Sequence, residues 1–175
     1  MKIITISGKA ESGKDTTAKV LKEELETMGY SVLTCHYGDL LKYICKQFFG
    51  WDGKKDEQGR TLLQVVGTEG VRSKEPDYWV NFIIQILEFF PEEWDFVLIP
   101  DARFPNEINL MKDEFDCVSL KVTRPNHENS LTEEQRKHKS ETALDDFNFN
   151  YEICNPGEMN GLRKEVKDLI DNILF

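Results

Sequence analysis

Apolar positions along this chain follow two spacings. Short apolar runs read as strands buried on both faces. These are Ile3 to Ile6, Phe96 to Pro100 (ending on Asp101), and the less uniform stretches Ser31–His36, Cys117–Thr123 and Asn150–Asn155. Between them, apolar residues recur at three- and four-residue steps, which predicts amphipathic helices. Ala18, Leu21, Leu25 and Met28 mark one after the first strand, closed by Gly29. Leu40, Leu41, Ile44, Cys45 and Phe48 mark a second, with Asp39 as its N-cap. A third runs from Arg60 to about Val66 and turns at Gly67. In residues 76 to 90 the stripe Trp79, Phe82, Ile83, Ile86, Leu87 and Phe90 reads as core. A short helix within 102 to 113 and a last one from Gly161 to Leu174 complete the set. Gly50 to Gly59 and residues 125 to 142 are too polar to pack and read as a loop and a lid. Strands alternating with helices predict an α/β fold around a mostly parallel sheet, with ligands at the carboxyl ends of the strands.

One stretch carries chemistry at such an end. Gly8-Lys9-Ala10-Glu11-Ser12-Gly13-Lys14 is a G-x-x-x-x-G-K loop between the first strand and the first helix. Gly8 permits the sharp exit from the strand, and Gly13 leaves the backbone open to a phosphate. The loop N–H groups form an anion nest at a helix N-terminus, and Lys14 adds a compact positive charge. Gly8, Lys9, Ser12, Gly13 and Lys14 are therefore expected to bind nucleotide phosphates. The usual Ser or Thr after the lysine is replaced by Asp15, followed by Thr16 and Thr17. A carboxylate beside phosphates calls for a metal between them, so Asp15 is expected to face Mg²⁺ and Thr16 a phosphate or the metal. Asp101 closes an apolar strand as the second metal-binding Asp of phosphate-loop enzymes does, although a capping role fits the same position. Arg72, Arg103, Arg124 and Arg136 lie at strand ends or in loops, where planar guanidinium groups can clamp phosphate oxygens. His138 in the lid is read as a binding residue, because phosphoryl transfer depends mainly on positioning and electrostatics.

Composition narrows the partner. The chain has 175 residues and a formal charge of −10, from 22 Lys and Arg against 32 Asp and Glu. That disfavours a nucleic-acid polymer but not a nucleotide, which needs only a local cluster of cations. The apolar runs are too short to cross a membrane. The four cysteines, Cys35, Cys45, Cys117 and Cys154, form no C-x-x-C pair. With a strand starting directly after Met1-Lys2, they suggest a single cytoplasmic domain. The N-K-x-D motif of a GTPase is lacking, which speaks against a switch; a nucleotide-binding module without turnover stays open.

Several motifs in order resemble the deoxynucleoside monophosphate kinases of phages and bacteria. They are Ser12-Gly13-Lys14-Asp15-Thr16-Thr17-Ala18; Leu62-Leu63-Gln64-Val65-Val66-Gly67-Thr68-Glu69 through Arg72; Tyr78-Trp79-Val80; Asp101-Ala102-Arg103-Phe104-Pro105-Asn106-Glu107; and His138-Lys139-Ser140-Glu141. The resemblance implies a nucleoside-monophosphate-kinase-like fold spanning residues 1–175, with a five-stranded parallel sheet, an acceptor-binding helical region at about 38–92 and a lid at about 125–142. It implies ATP and Mg²⁺ as donor, a deoxynucleoside monophosphate as acceptor and, from the family's habit of associating, a homodimer. Carried over, Lys14, Asp101, Arg103 and Arg136 are catalytic, and Arg124 contacts ATP on the lid side. Arg72, Trp79, Asp101, Arg103, Glu107 and Glu141 face the acceptor. Asp15, Thr16 and Asp101 are the metal candidates. The same fold serves phosphomevalonate and dephospho-coenzyme A kinases, so another phosphorylated acceptor is the alternative.

Overall fold

The computed structural model describes residues 1–125 and 127–174; Asn126, within the expected lid, lies outside the described residues, as does Phe175. Five parallel strands form one sheet, ordered β2-β3-β1-β4-β5: β1 (Lys2–Ser7), β2 (Val32–Thr34), β3 (Phe96–Ile99), β4 (Asp116–Thr123) and β5 (Tyr151–Cys154). β3 is fully buried and β1 is buried from Ile3 to Ser7, and these are the two most apolar runs, as a sheet covered on both faces requires.

Alternation along β1 divides the core between those faces. Ile4 and Ile6 pack with Leu21 and Leu25 of α1 (Lys14–Thr27) and with Leu162, Val166 and Ile170 of α8 (Met159–Leu174). Ile3 points the other way, toward Val80, Ile83 and Leu87 of α4 (Tyr78–Phe89) and Ile108 and Met111 of α5 (Pro105–Glu114). A smaller cluster of Cys45, Trp51 and Val66 joins α2 (Gly38–Phe48) to α3 (Glu57–Gln64) beside the main core. The lid contributes the short helices α6 (Glu133–Lys137) and α7 (Lys139–Thr142), held close to the phosphate loop.

Two expectations between α2 and α4 are corrected. The polar stretch after Gly50 is not loop throughout, because Asp56 caps α3 by accepting from the Gly59 amide at 2.9 Å. The chain does not turn at Gly67. It continues as a π-helical segment from Val65 to Arg72, and the Gly67 carbonyl there accepts from the Trp79 indole at 3.1 Å. A Cβ on Gly67 would lie 2.6 Å from Leu41, so this glycine permits close helix packing.

Candidate active site

The phosphate loop leaves β1 at Gly8, whose φ of +151° accompanies a very close approach: a Cβ there would meet the Val122 carbonyl at 2.3 Å. Gly13, at φ +96°, begins α1. A side chain on Gly13 would collide with the Asn155 amide at 2.2 Å, so a protein contact also demands this glycine, beyond the access for phosphate expected from the motif. Asn155 donates to the Ser12 carbonyl at 2.9 Å and accepts from the Gly157 amide at 3.0 Å, bracing the loop from beyond β5.

Lys14 curls under the loop. Its ammonium donates to the carbonyls of Gly8 (2.9 Å) and Lys9 (2.8 Å), and only 7% of the residue is exposed. Burial, reinforced by the positive charge of Arg103, lowers its pKa to about 7. The hydroxyls of Ser12 and Thr17 are buried with no hydrogen-bond partner among the described residues. A buried cation at a helix N-terminus, beside unpartnered hydroxyl donors, fits a phosphate chain.

A cavity of about 440 Å³ opens from Lys14 and Asp15 past the ends of β2 and β3 toward α3 and the π-helical segment. Its size is that of a small-molecule site. Lys14, Lys42, Lys55, Arg60, Arg72 and Arg103 line it, against Glu11, Asp15, Asp101, Glu107 and Glu141. A chain of net charge −10 thus surrounds this space with slightly more positive than negative groups. Leu41, Leu63, Trp79 and Phe104 give it an apolar wall, and Gln64 at the end of α3 and Thr68 in the π-helical segment line it too.

Buried carboxylates set the two central arginines. Glu107 is 2% exposed and accepts from Arg72 at 2.5 Å and from the backbone amides of Arg103 (2.6 Å) and Phe104 (3.0 Å). Burial pushes its pKa up to about 7, against the pull of the Arg72 guanidinium. Arg72 also donates to the Pro76 carbonyl at 3.0 Å and stacks on the Phe104 ring at 4.0 Å. Arg103 pairs with Glu141, whose other oxygen accepts from the Ala10 amide at 3.0 Å. Glu141 therefore joins the lid, the phosphate loop and Arg103.

The metal candidates are arranged differently. Asp15 borders the cavity and contacts His36 at 3.3 Å. That contact holds the Asp15 carboxyl below its usual range and raises His36, which also meets Asp39 at 3.2 Å. Asp101 accepts from the amides of Tyr37 and Gly38, both at 2.9 Å, and so caps the start of α2 while bordering the cavity. Thr16 is exposed and lines neither this cavity nor the neighbouring one. Mg²⁺ is usually held by one or two carboxylates together with substrate phosphates and water; Asp15 and Asp101 supply that number.

The remaining expected residues lie nearby. Lys9 donates to the Glu141 carbonyl at 2.6 Å and pairs with Asp145. Arg124 donates to the Glu11 carbonyl at 3.5 Å and borders a second cavity of about 240 Å³ behind the loop. Arg136 is bound to Asn129 at 2.9 and 3.1 Å and lines neither cavity. Trp79 is 3% exposed, a core residue with one edge on the larger cavity. Sequence reasoning missed His36, Asn155 and Glu11. Among these only His36 carried a signal, as a titratable residue ending a predicted strand.

The backbone decides the fold. It is that of the shikimate kinases. Shikimate kinase from Bacteroides thetaiotaomicron aligns over 99% of this chain and 98% of its own, with a TM-score of 0.58 and 14% identity. APS kinase of Mycobacterium tuberculosis, in complex with AMPPNP and APS, aligns over 98% and 96%, with a TM-score of 0.55 and 14% identity. Dephospho-CoA kinase from Campylobacter jejuni aligns over 98% and 97%, with a TM-score of 0.52 and 13% identity. No family model and no curated protein matches the sequence.

Proposed function

We propose that this protein is a phosphotransferase that moves the γ-phosphoryl group of ATP to a deoxynucleoside monophosphate, giving ADP and the diphosphate. The observation that carries the reading is that Lys14, Arg72 and Arg103 line one cavity, so a donor phosphate chain and an acceptor phosphate can meet there. The fold shared with APS kinase, shikimate kinase and dephospho-CoA kinase supports a small acceptor.

In this reading the loop amides, Ser12 and Lys14 hold the ATP phosphates, with Lys9 and Arg124 on the lid side. Arg72 and Arg103 hold the acceptor phosphate, since a guanidinium can engage two oxygens at once. Glu107 and Glu141 keep those guanidinium groups in place. The acceptor base lies against Trp79 and Leu63, with Gln64 and Thr68 supplying hydrogen bonds to its edge. Mg²⁺, when bound beside Asp15 and Asp101, neutralises phosphate charge. The chain's own work is alignment and charge stabilisation, and the lid excludes water that would otherwise take the phosphoryl group. Arg136 lines neither cavity and is left out of this set.

The test is ADP release from ATP and Mg²⁺ against a panel of dNMPs, NMPs and phosphomevalonate, with Lys14→Ala as control. Stimulation by one or more dNMPs, lost in the control, supports the proposal. Stimulation by phosphomevalonate alone would move the assignment to that acceptor, and ATP binding without any stimulation would leave a binding module.

A further inference from the structure

Glu11 stands at the tip of the phosphate loop, on the edge of the cavity described above, and the proposed reaction gives it no role. It is the one non-glycine residue with positive φ among the described residues, at +63°. The left-handed conformation is unfavourable for a glutamate, so its surroundings must hold it there. Two segments distant in sequence do so. Arg60, in α3 on the acceptor side, donates to Glu11 at 3.3 Å. Ser130, in the lid, donates its amide to the other Glu11 oxygen at 3.2 Å and its hydroxyl to the same oxygen as Arg60. Arg60 and Ser130 also bond each other at 3.1 Å. His127, at 3.6 Å, faces the same carboxylate. Each member of the triangle Glu11–Arg60–Ser130 therefore touches the other two.

Arg60 belongs to the helices around the acceptor cavity, Ser130 to the lid and Glu11 to the loop that bears Lys14. A triangle of this kind is complete only when both outer segments have closed on the loop. Closing one segment places two of its three members and so favours closure of the other. The bonds from Ser130, followed by the charge of Arg60, hold the Glu11 carboxyl below its usual range, so the latch stays ionised at neutral pH.

We infer that Glu11 is a positioning residue that couples acceptor binding to nucleotide binding, by latching the acceptor-side helix α3 and the lid to one point on the phosphate loop. The inference rests on the kinase reading of the site. It goes beyond that reading because it assigns cooperativity between substrates to a residue that has no part in binding or transfer there.

The test measures dissociation constants for the best-used of dAMP, dCMP, dGMP and dTMP, with and without a non-hydrolysable ATP analogue and Mg²⁺. Wild type is compared with Glu11→Ala, Arg60→Ala and Ser130→Ala. Wild type should bind the acceptor at least fivefold more tightly when the analogue is present, within the usual range of coupling between sites. Each variant should bring that ratio close to one. The double variant Arg60→Ala/Ser130→Ala should lose no more coupling than either single change, as members of one latch should. Ser130→Ala removes only a surface hydroxyl, so it serves as the readout if Glu11→Ala does not fold. A wild-type ratio of one would overturn the inference, as would variants that weaken both ligands while keeping the wild-type ratio. Lack of acceptor-dependent turnover in wild type would instead count against the kinase reading.

Discussion

Lys14 and the Arg72–Glu107 pair are the residues whose surroundings make the sharpest demands. Lys14 has its pKa lowered to about 7 by burial, and phosphates bound at the loop should return it to the charged form. ATP binding at pH 8 should therefore take up about one proton, and affinity should fall as pH rises above 7. Calorimetry in buffers of different ionisation enthalpy checks this; a binding enthalpy independent of buffer would contradict it. In the free protein the unfolded chain holds this proton up to about pH 10.5, so the Lys14 contribution makes the fold gain stability between pH 7 and 10.5. Lys14→Ala should cost about 10²–10³ in turnover, the usual loss for one electrostatic stabiliser. Glu107 has the opposite sign. Its pKa is raised from 4.5 to about 7, so its contribution to stability is full below pH 4.5 and is lost as pH rises through 7. Arg72→Ala leaves that carboxylate buried without its guanidinium partner. The change should destabilise the protein by about 3–5 kcal/mol at pH 8 and by less at pH 5, where Glu107 is protonated. Urea unfolding at the two pH values reads the difference, and equal losses at both would show that Arg72 does not act through Glu107.

At the scale of elements, the loop–helix unit depends on a strand far from it in sequence. Asn155, just beyond β5, bonds the Ser12 carbonyl and occupies the space that a side chain on Gly13 would need. Asn155→Ala leaves a loop carbonyl without its buried donor and should cost about 1–3 kcal/mol. ATP affinity should fall with it; equilibrium unfolding and nucleotide titration measure the two effects, and unchanged values would remove Asn155 from the loop's support. This dependence marks what the sequence reveals and what it hides. Strands β1 and β3 and helices α1 and α8 were legible because their apolar spacing reports burial directly. The phosphate loop was legible because its glycines and lysine sit at fixed local offsets. The first turn of α3, Glu57 to Gly59, was hidden, since an Asp cap among polar residues resembles a loop. The π-helical segment was hidden because Gly67 serves packing against Leu41 and signals no turn. Asn155, His36 and the Glu11 latch join residues far apart in sequence, and no local pattern records such pairings.

At the scale of the whole molecule, the sheet order β2-β3-β1-β4-β5 explains why the chemistry gathers in one place. β1 lies at the centre and delivers the phosphate loop, and its neighbour β3 delivers Asp101 and Arg103 beside it. β4, on the other side of β1, leads into Arg124 and the lid. The strongly acidic chain keeps positive groups where two phosphorylated molecules would meet, and buried carboxylates fix two of them. The central claim is that this one cavity brings ATP and a nucleotide acceptor together for direct transfer. Its most direct test follows the label from γ-labelled ATP in the presence of Mg²⁺ and each dNMP, in wild type and in Arg103→Lys, which keeps the charge but loses the planar two-oxygen grip. The account predicts label in the deoxynucleoside diphosphate with wild type and markedly less with Arg103→Lys. Label released only as inorganic phosphate, whichever dNMP is present, would contradict it.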